Sequence, residues 1–173
     1  MLPPIDQFNE LTNKQATDAL QALFENAPQF ADRVAAERPF DSYTELIDRA
    51  EGMAGSLPEV DQIEVINGHP QIGASPAAVS SQSYAEQGYD RTTASGNQAL
   101  ADKLASLNTE YERRFGFRFC VFVAGRPRSE IADVMSSRLS AQREEELERA
   151  LSAVFAIARS RLQKLTQTLE ETR

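Results

Sequence analysis

The chain holds one histidine, His69, and one cysteine, Cys120, among 173 residues. Histidine is the side chain whose ordinary pKa, near 6.5, lets it give and take protons at neutral pH, so side-chain proton transfer falls first to His69. It stands in Asn67-Gly68-His69-Pro70, where the ring of Pro70 fixes its own φ and restricts the backbone of His69. Taken alone the residue supports two readings, an acid/base or a loop histidine held by structural hydrogen bonds. Other chemistries lack their parts. With one His and one Cys a metal site would have to be rich in carboxylates, and no HExxH spacing occurs, so no metal is expected. The G-x-S-x-G elbow of a serine nucleophile is missing. Neither glycine-rich phosphate loop is present, so no nucleotide cofactor is implied.

Arg114-Phe115-Gly116-Phe117-Arg118-Phe119-Cys120-Val121-Phe122 partly imitates the strand on which RNA-recognition modules stack bases. Phe115 replaces the basic residue before the glycine and Arg118 replaces the Gly/Ala. The other strands of such a module are missing from so helical a chain, so the phenylalanines are read as core.

The elements that must position these residues are helical. Thr12 or Asn13 can cap a helix with Ala19, Leu20, Leu23 and Phe24 on one face. A second starts near Ala27 with Phe30, Val34 and Ala35 and is stopped by Pro39. Ser42 with Glu45 forms a capping box for a third, from Tyr43, with Leu46, Ile47, Ala50 and Met53. After Pro58, Val60, Ile63, Val65 and Ile66 read as a further turn or two. Asn67 to Ser83 is rich in Gly, Pro and Ser and reads as loop. Thr92 or Thr93 can cap a long helix with Leu100, Leu104, Leu107 and Tyr111, ending before Gly116. Phe115 to Ala124 is extended by propensity but has no partner strand, and is read as a buried extended segment. Ser129 caps a helix with Ile131, Val134, Met135 and Leu139. A last long helix runs from about Gln142 with Leu147, Ala150, Leu151, Val154, Ile157, Ala158, Leu162 and Leu165, the polar residues from Thr166 fraying. The expectation is an all-α, single-domain bundle of about eight to ten helices over residues 1–173, with a long C-terminal helix.

Composition bounds the partners. Lys+Arg 18 against Asp+Glu 26 gives a net charge of −8, which supplies no broad footprint for nucleic acid or anionic lipid. The hydrophobic fraction of 41% is that of a folding chain. A lone cysteine admits no intramolecular disulfide and fits a reducing compartment. Met1 to Glu10 lacks a secretory pattern and no stretch of about 18 apolar residues occurs, so a soluble, cytoplasmic protein without membrane or nucleic-acid partners is expected.

Three stretches taken together are more specific: His69-Pro70-Gln71-Ile72-Gly73, then Ser83-Tyr84-Ala85-Glu86-Gln87-Gly88, then Tyr111-Glu112-Arg113-Arg114-Phe115-Gly116-Phe117-Arg118-Phe119 with Gly125-Arg126. Their order and spacing resemble the 2-oxo-4-hydroxy-4-carboxy-5-ureidoimidazoline (OHCU) decarboxylases of purine breakdown, whose pattern reads His-Pro-x-[LI]-[AG], Ser-x-x-Glu-Gln and Tyr-x-x-[KR]-Phe-Gly-Phe-x-Phe. Pro39-Phe40-Asp41-Ser42 and Ile157-Ala158-Arg159-Ser160-Arg161-Leu162 extend the likeness to nearly the whole chain. Gln71-Ile72-Gly73 stands where many members have Asp-Leu-Ala, and Arg118 where proline is frequent.

The resemblance implies an all-α enzyme, cofactor-free and usually a homodimer, that converts OHCU into (S)-allantoin and carbon dioxide. It implies that His69 is the acid/base and Pro70 a substrate contact. Ser83, Glu86 and the adjoining Gln87, with Tyr84 and Ala85 between them, would hold the ureido and ring polar groups, Glu86 as a second catalytic residue. Phe122, Val123, Ala124, Gly125 and Arg126 would hold the ring and the anionic end through backbone and guanidinium. Two other readings stand beside it: a noncatalytic helical interaction module, and a lyase or hydrolase acting on a related ureide.

Overall fold

A computed structural model of the chain describes residues 2–74, 80–87 and 98–171. Among these residues are nine helices and no strand: α1 (Ile5–Glu10), α2 (Asn13–Leu20), α3 (Pro28–Ala36), α4 (Tyr43–Gly55), α5 (Glu59–Asn67), α6 (Ser81–Glu86), α7 (Gln98–Phe115), α8 (Arg128–Arg138) and α9 (Arg143–Glu171). The all-α expectation and its long C-terminal helix, 29 residues in α9, agree with this. Thr92 and Thr93, expected to cap α7, lie outside the described residues.

Caps explain most of the boundaries. Thr12 accepts from the Gln15 amide while the Gln15 side chain accepts from the Thr12 amide at 3.0 Å, a closed capping box at α2. Ser42 accepts from the Glu45 amide at 3.1 Å to open α4, but the Glu45 carboxylate reaches back to the amide of Asp41, one residue earlier than a capping box requires. Such a cap stabilises a helix by about 1 kcal/mol. Pro28 sits in the first turn of α3, where its missing N–H costs nothing.

Three boundaries and two short helices differ from the sequence expectation. Helix α2 ends at Leu20, and Leu23 and Phe24 bury themselves in a tightened turn whose amides bond back to Leu20. Pro127, not Ser129, is the N-cap of α8, and no side chain bonds there. Helix α9 continues to Glu171 instead of fraying from Thr166. Short helices α1 and α6 were not expected, each being only six residues long.

The described chain gathers into two compact units, Met1–Gly68 with Leu151–Arg173, and His69–Ala150. The first is built around Phe24, Phe30 and Phe155, whose rings meet edge to face at 5.2 to 6.1 Å. Leu20, Leu46, Ile47, Ala50, Val154 and Ala158 are buried in the same unit. The second unit centres on Tyr111, with the rings of Phe115, Phe117 and Phe119 at 4.5, 6.0 and 5.1 Å from it. Each such ring stabilises by about 1.5–3 kcal/mol on burial, and an aromatic pair adds about 0.5–1.5 kcal/mol. These phenylalanines are therefore core, as the sequence implied, and not a base-stacking platform. Phe117 to Val123 belongs to no helix, and five of its seven residues are buried. The segment expected to be buried lies outside the helices and is buried over most of its length, except that Phe115 closes α7 and Phe122 and Ala124 are exposed.

Candidate active site

His69 follows immediately on α5, whose C-cap is Gly68, and is only 6% exposed. The loop after it is fixed by side chains from elsewhere in the second unit. Arg118 donates to the His69 carbonyl at 3.1 Å. Gln87 works at both ends of its amide: Oε1 accepts from the Gly73 N–H at 3.0 Å and Nε2 donates to the Gln71 carbonyl at 3.2 Å. Asn108, 4% exposed, donates to the Ile72 carbonyl at 2.9 Å. The Gln71 side chain donates to Glu112. Gly73 has φ +80°, a conformation glycine adopts without the steric cost other residues meet.

Ser83 to Glu86 lie on α6 with Gln87 as its C-cap, and the helix opens on Ser80, whose hydroxyl accepts from the Ser83 amide at 3.1 Å. Ser83 and Gln87 are buried, Tyr84 and Glu86 half-buried, and Ala85 exposed. This alternation places Ser83 and Gln87, four apart, on the inward face of the helix. The Gln87 carbonyl in turn accepts from Arg128 Nε at 3.3 Å.

The third stretch ends in a tight turn. Ala124 and Gly125 have φ +51° and +76°, and the Arg126 amide donates to the Val123 carbonyl at 3.0 Å, the pattern of a type I′ turn. Val123 is buried while Phe122, Ala124 and Gly125 are exposed. Arg126 curls over this turn, Nε donating to Val123 O at 3.1 Å and Nη2 to Phe122 O at 2.7 Å. Its guanidinium therefore bonds its own backbone here, while the resemblance implies that it holds the anionic end of a substrate.

The structure thus brings the first two stretches together directly, through Gln87, and joins the third to the first through Arg118. Pro70 is half-buried beside His69. The sequence reading passed over Asn108, Arg118 and Arg128 as bonding partners. Asn108 carried a signal, since a lone amide sits among the apolar positions Leu104, Leu107 and Tyr111 of α7. Among the described residues no three His, Cys, Asp or Glu side chains converge to hold a metal ion, and no helix is long and apolar enough to cross a membrane.

The profile of the family described as OHCU decarboxylase matches residues 9–163. The chain belongs to the OHCU decarboxylase family. An OHCU decarboxylase crystallised in the presence of (S)-allantoin superposes with a TM-score of 0.68 at 26% identity, covering 86% of this chain and 96% of that one. The 2-oxo-4-hydroxy-4-carboxy-5-ureidoimidazoline decarboxylase of Halalkalicoccus jeotgali is 27% identical over 94% of this chain and 91% of its own length. The uric acid degradation bifunctional protein PucL of Bacillus subtilis is 31% identical over 168 residues, 97% of this chain. This chain spans about a third of the length of that bifunctional relative, 34%. Family membership accords with the resemblance that the three stretches carry.

Proposed function

We propose that the chain decarboxylates OHCU to (S)-allantoin without a cofactor, with His69 as the acid/base. The observation that carries this reading is the family match over residues 9–163 together with a lone histidine held by its own loop in the second unit. The substrate's chemistry supports it. When the bond to carbon dioxide breaks, its electron pair is taken up by the neighbouring ring imine, whose nitrogen takes a proton from water, giving an enamine. One proton delivered to one face then sets the S centre, while the ring hydroxyl gives up its proton and becomes the carbonyl. The imine is thus the electron sink, and the protein has to supply orientation and a directed proton.

In this reading His69 faces the reacting carbon, and Ser83, Glu86 and Gln87 on α6 hold the ureido and ring polar groups, Pro70 lying against the ring. Glu86 steadies the charge that moves between substrate and His69. The turn Phe122 to Arg126 presents backbone groups to the ring. A homodimer in the cytoplasm completes the reading, supported by the family and by the single, buried cysteine.

The test generates OHCU in situ from urate with a urate oxidase and a hydroxyisourate hydrolase, following allantoin by circular dichroism. Wild type is expected to give rapid (S)-allantoin and His69→Asn none above background, with the fold unchanged. Wild-type decay at the spontaneous rate with racemic product would sink the decarboxylase reading and favour a related ureide or a noncatalytic interaction module.

A further inference from the structure

We propose that Arg118 and Asn108 are positioning residues that, together with Gln87, set the backbone of the His69 loop and through it the direction of the imidazole. This rests on the reading of His69 as acid/base, and adds two residues that the motifs did not assign to the site.

The peptide between His69 and Pro70 has no N–H, because proline lacks one. Its carbonyl is the one hydrogen-bonding group of that peptide, and Arg118 Nη1 donates to it at 3.1 Å. The guanidinium therefore fixes the plane on the C-terminal side of the His69 Cα. Two later carbonyls are held in the same way by side chains, Gln71 O by Gln87 at 3.2 Å and Ile72 O by Asn108 at 2.9 Å, while Gly73 N donates to Gln87 at 3.0 Å. Three side chains thus make four bonds to a five-residue loop that has no helix or strand of its own.

The anchors are themselves rigid. Asn108 rises from α7 between the buried residues Leu104 and Tyr111, and Leu104 packs against the Cα of Gly73 so closely that a Cβ there would stand 3.0 Å from its Cδ1. Arg118 lies between Phe117 and Phe119, both packed around Tyr111. A loop carrying a proton donor needs such support, because a misplacement of about 1 Å in a reacting group can cost a hundredfold in rate.

The single histidine makes the test direct, since its imidazole Cε1–H gives one 1H–13C resonance that no other histidine overlaps. Arg118→Met, Arg118→Lys and Asn108→Leu are compared with wild type by that resonance, by thermal unfolding and by steady-state kinetics on OHCU generated in situ. Arg118→Met and Asn108→Leu are expected to shift or broaden the His69 resonance and to lower kcat about ten- to a hundredfold, with KM changed less than about twofold. Arg118→Lys, which keeps a donor, is expected to restore much of the wild-type resonance and rate. An unmoved resonance in Arg118→Met and Asn108→Leu, or a rise in KM alone, would overturn the proposal. Should Asn108→Leu fail to fold, Arg118→Met decides, its side chain being only half-buried. Should wild type leave OHCU untouched, the decarboxylase reading fails, and the resonance still decides whether the clamp orders His69.

Discussion

Glu25 and Arg161, 136 positions apart in sequence, meet at 2.9 Å in an ion pair from which water is almost entirely excluded, the two side chains being 8% and 1% exposed. The exposed pairs, such as Lys14 with Asp18, are worth at most about 1 kcal/mol each. A buried pair behaves differently when broken. Removing one partner leaves the other charged and desolvated, which costs about 3–5 kcal/mol. Arg161→Met is expected to lower the free energy of unfolding, measured by urea denaturation, by an amount of that order. Glu25→Gln combined with Arg161→Met should recover part of it, because no lone charge remains. Equal destabilisation by the single and double variants would show that packing of the arginine stem, rather than charge, is what matters.

Gly68 and Gly52 offer a contrast in the same unit. A Cβ on Gly68 would collide with the backbone carbonyl of Glu25, which no side-chain rotation can relieve, whereas Gly52 lies mid-helix in α4 with nothing within 4 Å of such an atom. The backbone at Gly68 is right-handed helical, φ −59° and ψ −30°, so the obstacle there is contact and not conformation. Gly52→Ala is expected to raise stability by about 0.5–1 kcal/mol through helix propensity. Gly68→Ala is expected to lower stability and, by displacing the chain that leads into His69, to lower kcat as well. Chemical denaturation of both variants checks the sign. A neutral Gly68→Ala would mean that the α5 end gives way freely.

Tyr111 donates to the Glu146 carboxylate at 2.7 Å inside the second unit, and Glu146, fully buried, also accepts from Arg149 at 2.8 Å. Burial first, then the hydrogen bond and charge of Glu146, push the Tyr111 phenol well above its usual range. Burial alone raises Tyr43 likewise. The ordinary tyrosine value is about 10. Above it the unfolded chain loses these phenolic protons while the folded chain keeps them, so the unfolded state binds fewer protons and stability falls as pH rises. Below pH 10 the two states carry the same protons on these groups and the slope vanishes. Urea midpoints are therefore expected to decline above about pH 10, and Tyr111→Phe should flatten that decline while lowering stability at pH 7 through the lost bond. A decline as steep in Tyr111→Phe as in wild type would assign it to other groups.

Where local chemistry is strong the sequence was informative. The Thr12 and Ser42 caps, Pro39 and Pro58, and the apolar stripes of α7 and α9 lie within a turn of the elements they signal. The His-Pro, Ser-x-x-Glu-Gln and Tyr-to-Phe motifs marked three stretches that hydrogen bonds tie together. Short helices were obscure because six residues carry less than two turns of pattern, and Ser80 starts α6 inside a stretch whose composition reads as loop. The clamp was obscure for another reason. Arg118 reaches a carbonyl 49 positions away and Asn108 one 36 away, and no local spacing announces a side chain's bond to a distant backbone group.

Arg126 separates two ways of holding the substrate. A guanidinium gripping the substrate carboxylate would act on a group that the reaction removes, so its loss would weaken OHCU and leave the affinity for allantoin unchanged. In the structure Arg126 instead donates to the carbonyls of Val123 and Phe122, at 3.1 and 2.7 Å, and so shapes the turn whose backbone faces the ring in the proposed complex. The ring is shared by substrate and product. Arg126→Lys, lacking the planar fork, cannot make both bonds in this geometry. It is expected to raise KM for OHCU and the inhibition constant for (S)-allantoin together, by about tenfold each, with kcat within about threefold, since binding is lost equally in ground and transition states. A rise in KM with unaltered product inhibition would return the guanidinium to the carboxylate.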